Sequence, residues 1–142
     1  MFNKVLKPYC FSYFEALINL KLLIMSKPQN CISVQDAKQM QSNWMATRAV
    51  DITRAEGHQD TCAVTFNIED LQEYLNYVLE ESKKQKIENP GIRVYFAAYD
   101  NNESDMSTVF FCPSESDEGD SDNNYDIDPF NRGQNGWPPN AY

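Results

Sequence analysis

The stretch from Gly91 to Pro113 constrains the fold more than any other part of the sequence, because it has the pattern of a β-hairpin. Two segments rich in β-branched and aromatic residues, Ile92–Tyr99 and Met106–Cys112, flank the six polar residues 100–105. Segments of this composition around a polar turn are typical of paired antiparallel strands. The pattern therefore predicts a folded domain with an antiparallel sheet, and it contains no catalytic motif.

Two helices and a further strand are predicted before the hairpin. Ser33 is a good N-cap for a helix over about 34–55, whose thin apolar stripe favours a break near 47–51. Asn67 caps a second helix with a clear apolar stripe, formed by Ile68, Leu71, Leu75, Val78 and Leu79. The short run Cys62–Phe66 between the helices predicts a strand. The predicted fold class is α+β, with two helices packed on a small antiparallel sheet that contains the hairpin.

Side chains along the first hairpin strand alternate between two faces of the sheet. The face that we expect to pack against the helices carries Ile92, Val94, Phe96 and Ala98. The opposite face carries Arg93, Tyr95 and Tyr99, and we expect Val109 or Phe111 from the second strand to lie beside them. Such an aromatic face is either covered by the protein's own chain or is a contact surface, and if it is left uncovered we expect a homodimer to form through it.

Both ends of the sequence differ from the middle, so we divide the chain into residues 1–32, 33–113 and 114–142. The first segment begins with lysines and apolar residues, but polar residues interrupt its apolar run, which falls short of the ~20 residues that cross a bilayer. We interpret Met25 as the start of translation and residues 1–24 as an over-extended reading of the gene. The alternatives are a secretory leader and a short amphipathic docking segment.

Residues 114–142 form an acidic tail that ends in aromatic, proline and glycine residues. We expect residues 114–124 to be disordered, because their polar side chains bury too little area to offset the entropy lost on ordering. We expect residues 125–142 to be partly ordered, because they contain four side chains that can bury apolar area on the aromatic face of the hairpin: Tyr125, Ile127, Phe130 and Trp137.

The net charge of −9, from 21 acidic and 12 basic residues, limits the class of partner. Nucleic acids and anionic membranes bind basic surfaces, so we expect neither as a partner. The four cysteines form no CxxC motif, which favours reduced thiols and a cytoplasmic location, while the leader-like start leaves secretion open. The sequence does not determine whether Cys62 and Cys112 form a disulfide.

Two motifs carry a resemblance to known proteins. Thr65-Phe66-Asn67 leads into the second helix, and Gly91-Ile92-Arg93-Val94-Tyr95 opens the hairpin. Over residues 33–113 this arrangement resembles a group of small uncharacterised bacterial proteins that share a G-[IV]-R-x-Y core. The resemblance implies a bacterial protein with a similar core, and it implies no activity and no catalytic or binding residue.

The sequence therefore favours a non-enzymatic interaction or structural module without a catalytic residue, cofactor or metal site. Its candidate contact residues are Arg93, Tyr95, Tyr99, Phe111, Phe130 and Trp137. One alternative is an acidic inhibitor or immunity-type protein that binds a basic enzyme. Another is a small enzyme with a pocket built around Arg93, Tyr95 and the single histidine, His58. The expected partner is a protein, either a basic one or a second copy of the chain in a homodimer.

Overall fold

The computed structural model of the protein describes residues 27–137. The chain divides into two compact units, Met1–Ala37 and Lys38–Tyr142, and both sheets belong to the second unit. The predictions for residues 1–24 and for the last five residues fall outside the described residues.

The predicted α+β class is confirmed. The elements in chain order are α1 (Val34–Ala46), α2 (Arg48–Glu56), β1 (Ala63–Thr65), α3 (Ile68–Lys84), β2 (Gly91–Ala98), β3 (Ser107–Ser114) and β4 (Gln134–Gly136). The strands form two antiparallel pairs, β1 with β4 and β2 with β3. The sheet is therefore present as two separate ribbons, of which the hairpin β2–β3 is the longer.

The first predicted helix is broken, as its thin stripe indicates. Ser33 caps α1 by accepting a hydrogen bond of 3.0 Å from the backbone N–H of Asp36. The break lies at Thr47, whose hydroxyl donates to the carbonyl oxygen of Asn43 at 2.7 Å and thereby competes with the helical hydrogen bonds. Gly57 ends α2 in the left-handed conformation, with φ of 78°.

Helix α3 begins at the predicted cap, but its buried face is rotated from the predicted stripe. Asn67 accepts hydrogen bonds from the N–H groups of Glu69 and Asp70, at 2.7 and 3.1 Å. The buried side chains of α3 include Tyr74 and Val78, whereas Ile68 is exposed. Tyr74 can be buried because its single hydroxyl hydrogen is shared between the backbone carbonyl oxygens of Phe111 and Asp128, at 3.3 and 3.1 Å.

The register of the hairpin corrects the predicted position of Phe111. Tyr95 lies opposite Phe110, and Val94 lies opposite Phe111. Since paired residues of an antiparallel ribbon share one face, Phe111 lies on the face of Val94 and not on that of Tyr95. The even number of residues in the turn is the cause, because it pairs each odd position of β2 with an even position of β3.

The face of Ile92, Val94 and Phe96 is covered at one end only, which corrects the expectation that the helices cover it along its length. Ile92 packs against a core cluster that includes Tyr74 and Val78 of α3. Val94 is 49% exposed and Phe96 is 91% exposed. The helices therefore leave the turn end of this face open.

Residues 114–124 bind the edge of the hairpin, whereas the sequence predicts that this acidic segment is disordered. Asn123 forms a β-bridge with Ser114, and the N–H of Asn124 donates to the carbonyl oxygen of Pro113 at 2.8 Å. Asn124 itself is buried. These hydrogen bonds with the outer edge of β3 supply the stabilisation that the composition of the segment does not indicate. Residues 114–137 belong to the same compact unit as the hairpin.

The end of the chain completes the core. Ile127, only 1% exposed, forms a buried cluster with Tyr74 and Val78, and Phe111 and Phe130 pack against it. The aromatic end of the chain thus packs through Phe130 on the face of Ile92 and Phe111, which corrects the expectation that it packs on the face of Tyr95 and Tyr99. Tyr125, in contrast, is 86% exposed and takes no part in the core.

Candidate functional site

Arg93, the first candidate contact residue, is held by the protein's own chain. Its guanidinium donates to the side-chain oxygen of Asn123 at 2.5 Å and to the carbonyl oxygens of Ser121 and Gly119 at 2.8 and 3.2 Å. A planar guanidinium suits several acceptors at fixed angles, so one side chain holds the loop 119–123 against the hairpin. Arg93 therefore acts as a clamp for the acidic segment.

Tyr95 and Tyr99 are likewise bound within the chain. The Tyr95 ring stacks on Phe110 with 5.0 Å between ring centroids, and its hydroxyl accepts a hydrogen bond of 2.8 Å from the amide of Asn123. The hydrogen bond from Asn123 and the nearby Arg93 lower the pKa of Tyr95. The Tyr99 hydroxyl donates to Asn131 at 2.8 Å. Contacts from the protein's own chain thus reach both tyrosines on this face, and a homodimer through it stays a prediction.

Phe111 and Phe130 contact each other in the backbone and through their rings. Each donates its N–H to the carbonyl oxygen of the other, at 2.8 and 2.9 Å. The Phe130 ring stacks on Tyr74 with centroids 4.9 Å apart, and Phe111 meets Phe66 edge-on at 5.0 Å. Burial raises the pKa of Tyr74 to about 12, so its hydroxyl remains a donor at neutral pH. These two candidates stabilise the core.

Trp137 binds a residue that the sequence analysis missed. Its ring N–H donates to the carbonyl oxygen of Asp60. Asp60 is buried, with 6% of the whole residue exposed. The Asp60 carboxylate accepts hydrogen bonds of 2.7 Å from the N–H groups of Thr61 and Ser107, and a further one from the Ser107 hydroxyl. An aspartate two residues before a predicted strand was the only signal, because short polar side chains there often bind backbone N–H groups.

Opposing effects set the pKa of the Asp60 carboxyl group. Burial acts to raise it, but the hydrogen bonds from Ser107 and Thr61 together outweigh burial and hold the pKa below its ordinary value. Asp60 is therefore an ionised, fully hydrogen-bonded group that joins β1 to β3, and through Trp137 to the end of β4.

An apolar groove of about 720 Å³ lies among the short helices, β1 and the hairpin. We call it the groove throughout. Its apolar lining comes from both short helices, from β1 and the residue after it, and from the open end of the hairpin: Trp44, Ile52, Val64, Phe66, Phe96, Val109 and Phe111. Volumes of this order are usual for binding sites lined by apolar side chains. Sequence reasoning missed the groove because it joins residues far apart in the chain.

The ionisable residues of the groove are few. Arg48 and Cys62 are the two in its lining. Burial raises the pKa of the Cys62 thiol, which keeps it protonated and a poor nucleophile at neutral pH. Cys62 and Cys112 are both free thiols. The groove is thus suited to hold apolar side chains rather than to transfer protons.

His58 does not belong to the lining of the groove. Its Nδ1 lies 3.3 Å from the carbonyl oxygen of Gln59, and its Nε2 lies 3.2 Å from a carboxylate oxygen of Asp105. The hydrogen bond to Gln59 and then the contacts with Asp105 raise the pKa of His58. Both partners are acceptors, so they favour the doubly protonated ring. Arg93 and Tyr95 have their partners in Asn123, and the structure does not bring them to His58.

Residues 27–137 contain no group of three or more histidine, cysteine or acidic side chains placed to share a metal ion. None of the helices in this range has both the length and the apolar character to span a bilayer.

No family model, curated protein or solved structure matches the chain. The resemblance to the G-[IV]-R-x-Y group stays a prediction.

Proposed function

We propose that the chain is a non-enzymatic protein-interaction module whose groove binds an apolar segment of a partner protein. The observation that carries the proposal is the apolar groove of about 720 Å³, bordered by a phenylalanine, Phe96, that is 91% exposed. A large apolar side chain left in water next to an apolar cavity is typical of a contact surface.

The chemistry of the groove defines the segment that it binds. Its aromatic and aliphatic lining favours leucine, phenylalanine or tryptophan side chains as anchors. Covering the Phe96 side chain contributes about 1.5–3 kcal/mol of binding free energy. The net charge of −9 favours a segment whose flanks are neutral or basic, because acidic flanks would be repelled.

The ionisable groups support binding rather than catalysis. The ionisable groups of the groove are Arg48 and a neutral Cys62 thiol. These two groups form neither an acid–base pair nor an activated nucleophile. Arg93 and Tyr95, the core of the alternative enzyme site, already bind the chain's own Asn123.

Selection of peptides from a random library on the purified protein tests the proposal. We expect enriched peptides with two or more large apolar residues and dissociation constants on the order of 10 μM. Phe96→Ser should weaken their binding about tenfold or more, because it removes the exposed aromatic border of the groove. Tyr125→Ser is the matched control, since it also removes an exposed aromatic ring but lies outside the groove, and it should leave binding unchanged. Equal losses in both variants, or no enriched sequence, would refute the proposal.

The same selection tests a second candidate function, the acidic inhibitor that binds a basic protein. The observation that favours it is the loop 115–122, whose five acidic residues are exposed and form no salt bridge within residues 27–137. Arg93 holds this loop through carbonyl groups and leaves its carboxylates free. Enrichment of polybasic peptides whose affinity falls steeply with added salt would favour this function over the groove.

A further inference from the structure

Strand β2 has one edge without a neighbour among the described residues. It pairs with β3 on one side only. The outer edge of β3, in contrast, is bound along its length by the chain's own groups, among them Phe130, Asn124 and Asn131. The hairpin therefore has one closed edge and one open edge.

The alternation of hydrogen bonds identifies the open groups on β2. Tyr99 donates its N–H to Met106 across the ribbon at 3.0 Å, which makes this a hydrogen-bonded pair. Such pairs alternate along an antiparallel ribbon, so Tyr95 and Arg93 also direct their backbone groups to β3. The backbone groups that point away from β3 belong to Ile92, Val94, Phe96 and Ala98, and none has a hydrogen-bond partner within residues 27–137.

The open edge lacks several of the side chains by which natural proteins block an exposed strand. Residues 91–98 contain no lysine, proline or acidic residue, although the chain as a whole carries a charge of −9. The single charged residue, Arg93, has its guanidinium bound to the loop 119–123. At the same edge, Val94 and Phe96 expose their side chains. The edge is thus ready to accept another strand.

We propose that this edge pairs with β2 of a second copy of the chain, antiparallel and with Tyr95 at the two-fold axis. In this register Val94 lies opposite Phe96 of the second copy, and Ile92 lies opposite its Ala98. Every open backbone group of β2 then meets an open group of the other strand, for about eight hydrogen bonds in total. No other register about a two-fold axis uses all four residues on both strands.

The side chains and the charge also favour a second copy. Across the axis, the exposed Val94 side chain of one copy packs against the exposed Phe96 side chain of the other. Arg93 lies opposite the small, neutral Ala97 of the second copy, so the two strands place no like charges opposite each other. Because the interface is limited to one strand and its side chains, we expect a weak dimer, with a dissociation constant on the order of 10 μM. Added salt should strengthen it by screening the repulsion between two chains of charge −9.

Sedimentation equilibrium of the full chain between about 1 and 200 μM tests the dimer. We expect monomers at the low end, dimers at the high end, and more dimer at high salt. Val94→Pro should abolish dimerisation, because it removes an N–H that points to the open edge while leaving the hydrogen bonds with β3 in place. Circular dichroism checks that this variant is folded.

A charge exchange tests the register itself. One double variant carries Val94→Lys and Phe96→Lys, and the other carries Val94→Glu and Phe96→Glu. Each alone should be monomeric, because like charges lie opposite each other across the axis, and an equimolar mixture should restore the dimer through pairs of opposite charge. A wild type that is monomeric at 200 μM, a dimer unaffected by Val94→Pro, or a mixture that stays monomeric would overturn the proposal.

The proposal of a dimer and the proposal of peptide binding in the groove can be refuted independently of each other. A chain that remains monomeric at every concentration can still bind selected apolar peptides, and a chain that binds none can still form the dimer.

Discussion

At the scale of the single residue, Asp60 connects three segments that are distant in the sequence. Its carboxylate binds Thr61 and Ser107, and its carbonyl group binds Trp137. A buried carboxylate is stabilising only if its oxygens are satisfied, and here two N–H groups and a hydroxyl group satisfy them. Asp60 thus helps to hold Trp137 at the end of β4, a strand that is also paired with β1.

Asp60→Asn should lower the free energy of unfolding by about 1–2 kcal/mol at neutral pH, because charge-assisted hydrogen bonds become neutral ones. The pKa of Asp60 is lower in the folded protein than its ordinary value of 3.8, so its stabilisation is complete above that pH and is lost as the pH falls through the folded pKa. The difference between the variant and the wild type should therefore shrink below about pH 3.8. Urea denaturation at several pH values measures it.

Asp51→Asn is the control for this prediction. Asp51 forms a salt bridge of 2.8 Å with Arg54, but both side chains are 73% exposed. Exposed pairs of this kind contribute little, so the variant should change stability by less than about 0.5 kcal/mol. If Asp60→Asn had the same free energy of unfolding as the wild type at neutral pH, the role given to the carboxylate would be contradicted.

At the scale of elements, the sequence alone predicted the features that depend on residues close together in the chain. The caps Ser33 and Asn67, the break near Thr47 and the two hairpin strands follow from local patterns, and all are present. The placement of Phe111 failed because strand register depends on the turn, and counting the even number of turn residues would have corrected it.

The ordered segment after β3 was not predictable from its composition. Its acidic and polar residues are those of disordered chains, yet its backbone binds the outer edge of β3 and Arg93 holds its carbonyl groups. Such long-range contacts leave no trace in the local sequence. For the same reason the groove, which joins Trp44 to Val109, could not be predicted.

Ile127→Ala tests whether this segment belongs to the folded core. Because Ile127 is 1% exposed and packs with Tyr74 and Val78, its loss should lower the free energy of unfolding by about 2–5 kcal/mol. Tyr125→Ala, two residues earlier and 86% exposed, should change it by less than about 0.5 kcal/mol. Thermal denaturation of both variants measures the difference. Equal melting temperatures would mean that the segment is dispensable for folding.

At the scale of the whole molecule, the two faces of the hairpin have different roles. The face with Arg93 and Tyr95 is bound by the loop that follows β3, which also carries much of the acidic charge. The face with Phe96 is open and borders the groove. The central claim is therefore that partners bind at the face of Phe96, and that the aromatic residues on the other face serve the fold.

The most direct measurement is a titration of the isotope-labelled protein with one selected apolar peptide, followed by backbone amide NMR. We predict that the shifts cluster at residues of the groove, among them Val64, Phe66 and Val109, and that they are absent at Tyr95 and Asn123. Shifts that cluster at Tyr95 and Asn123, with the groove unchanged, would contradict the account.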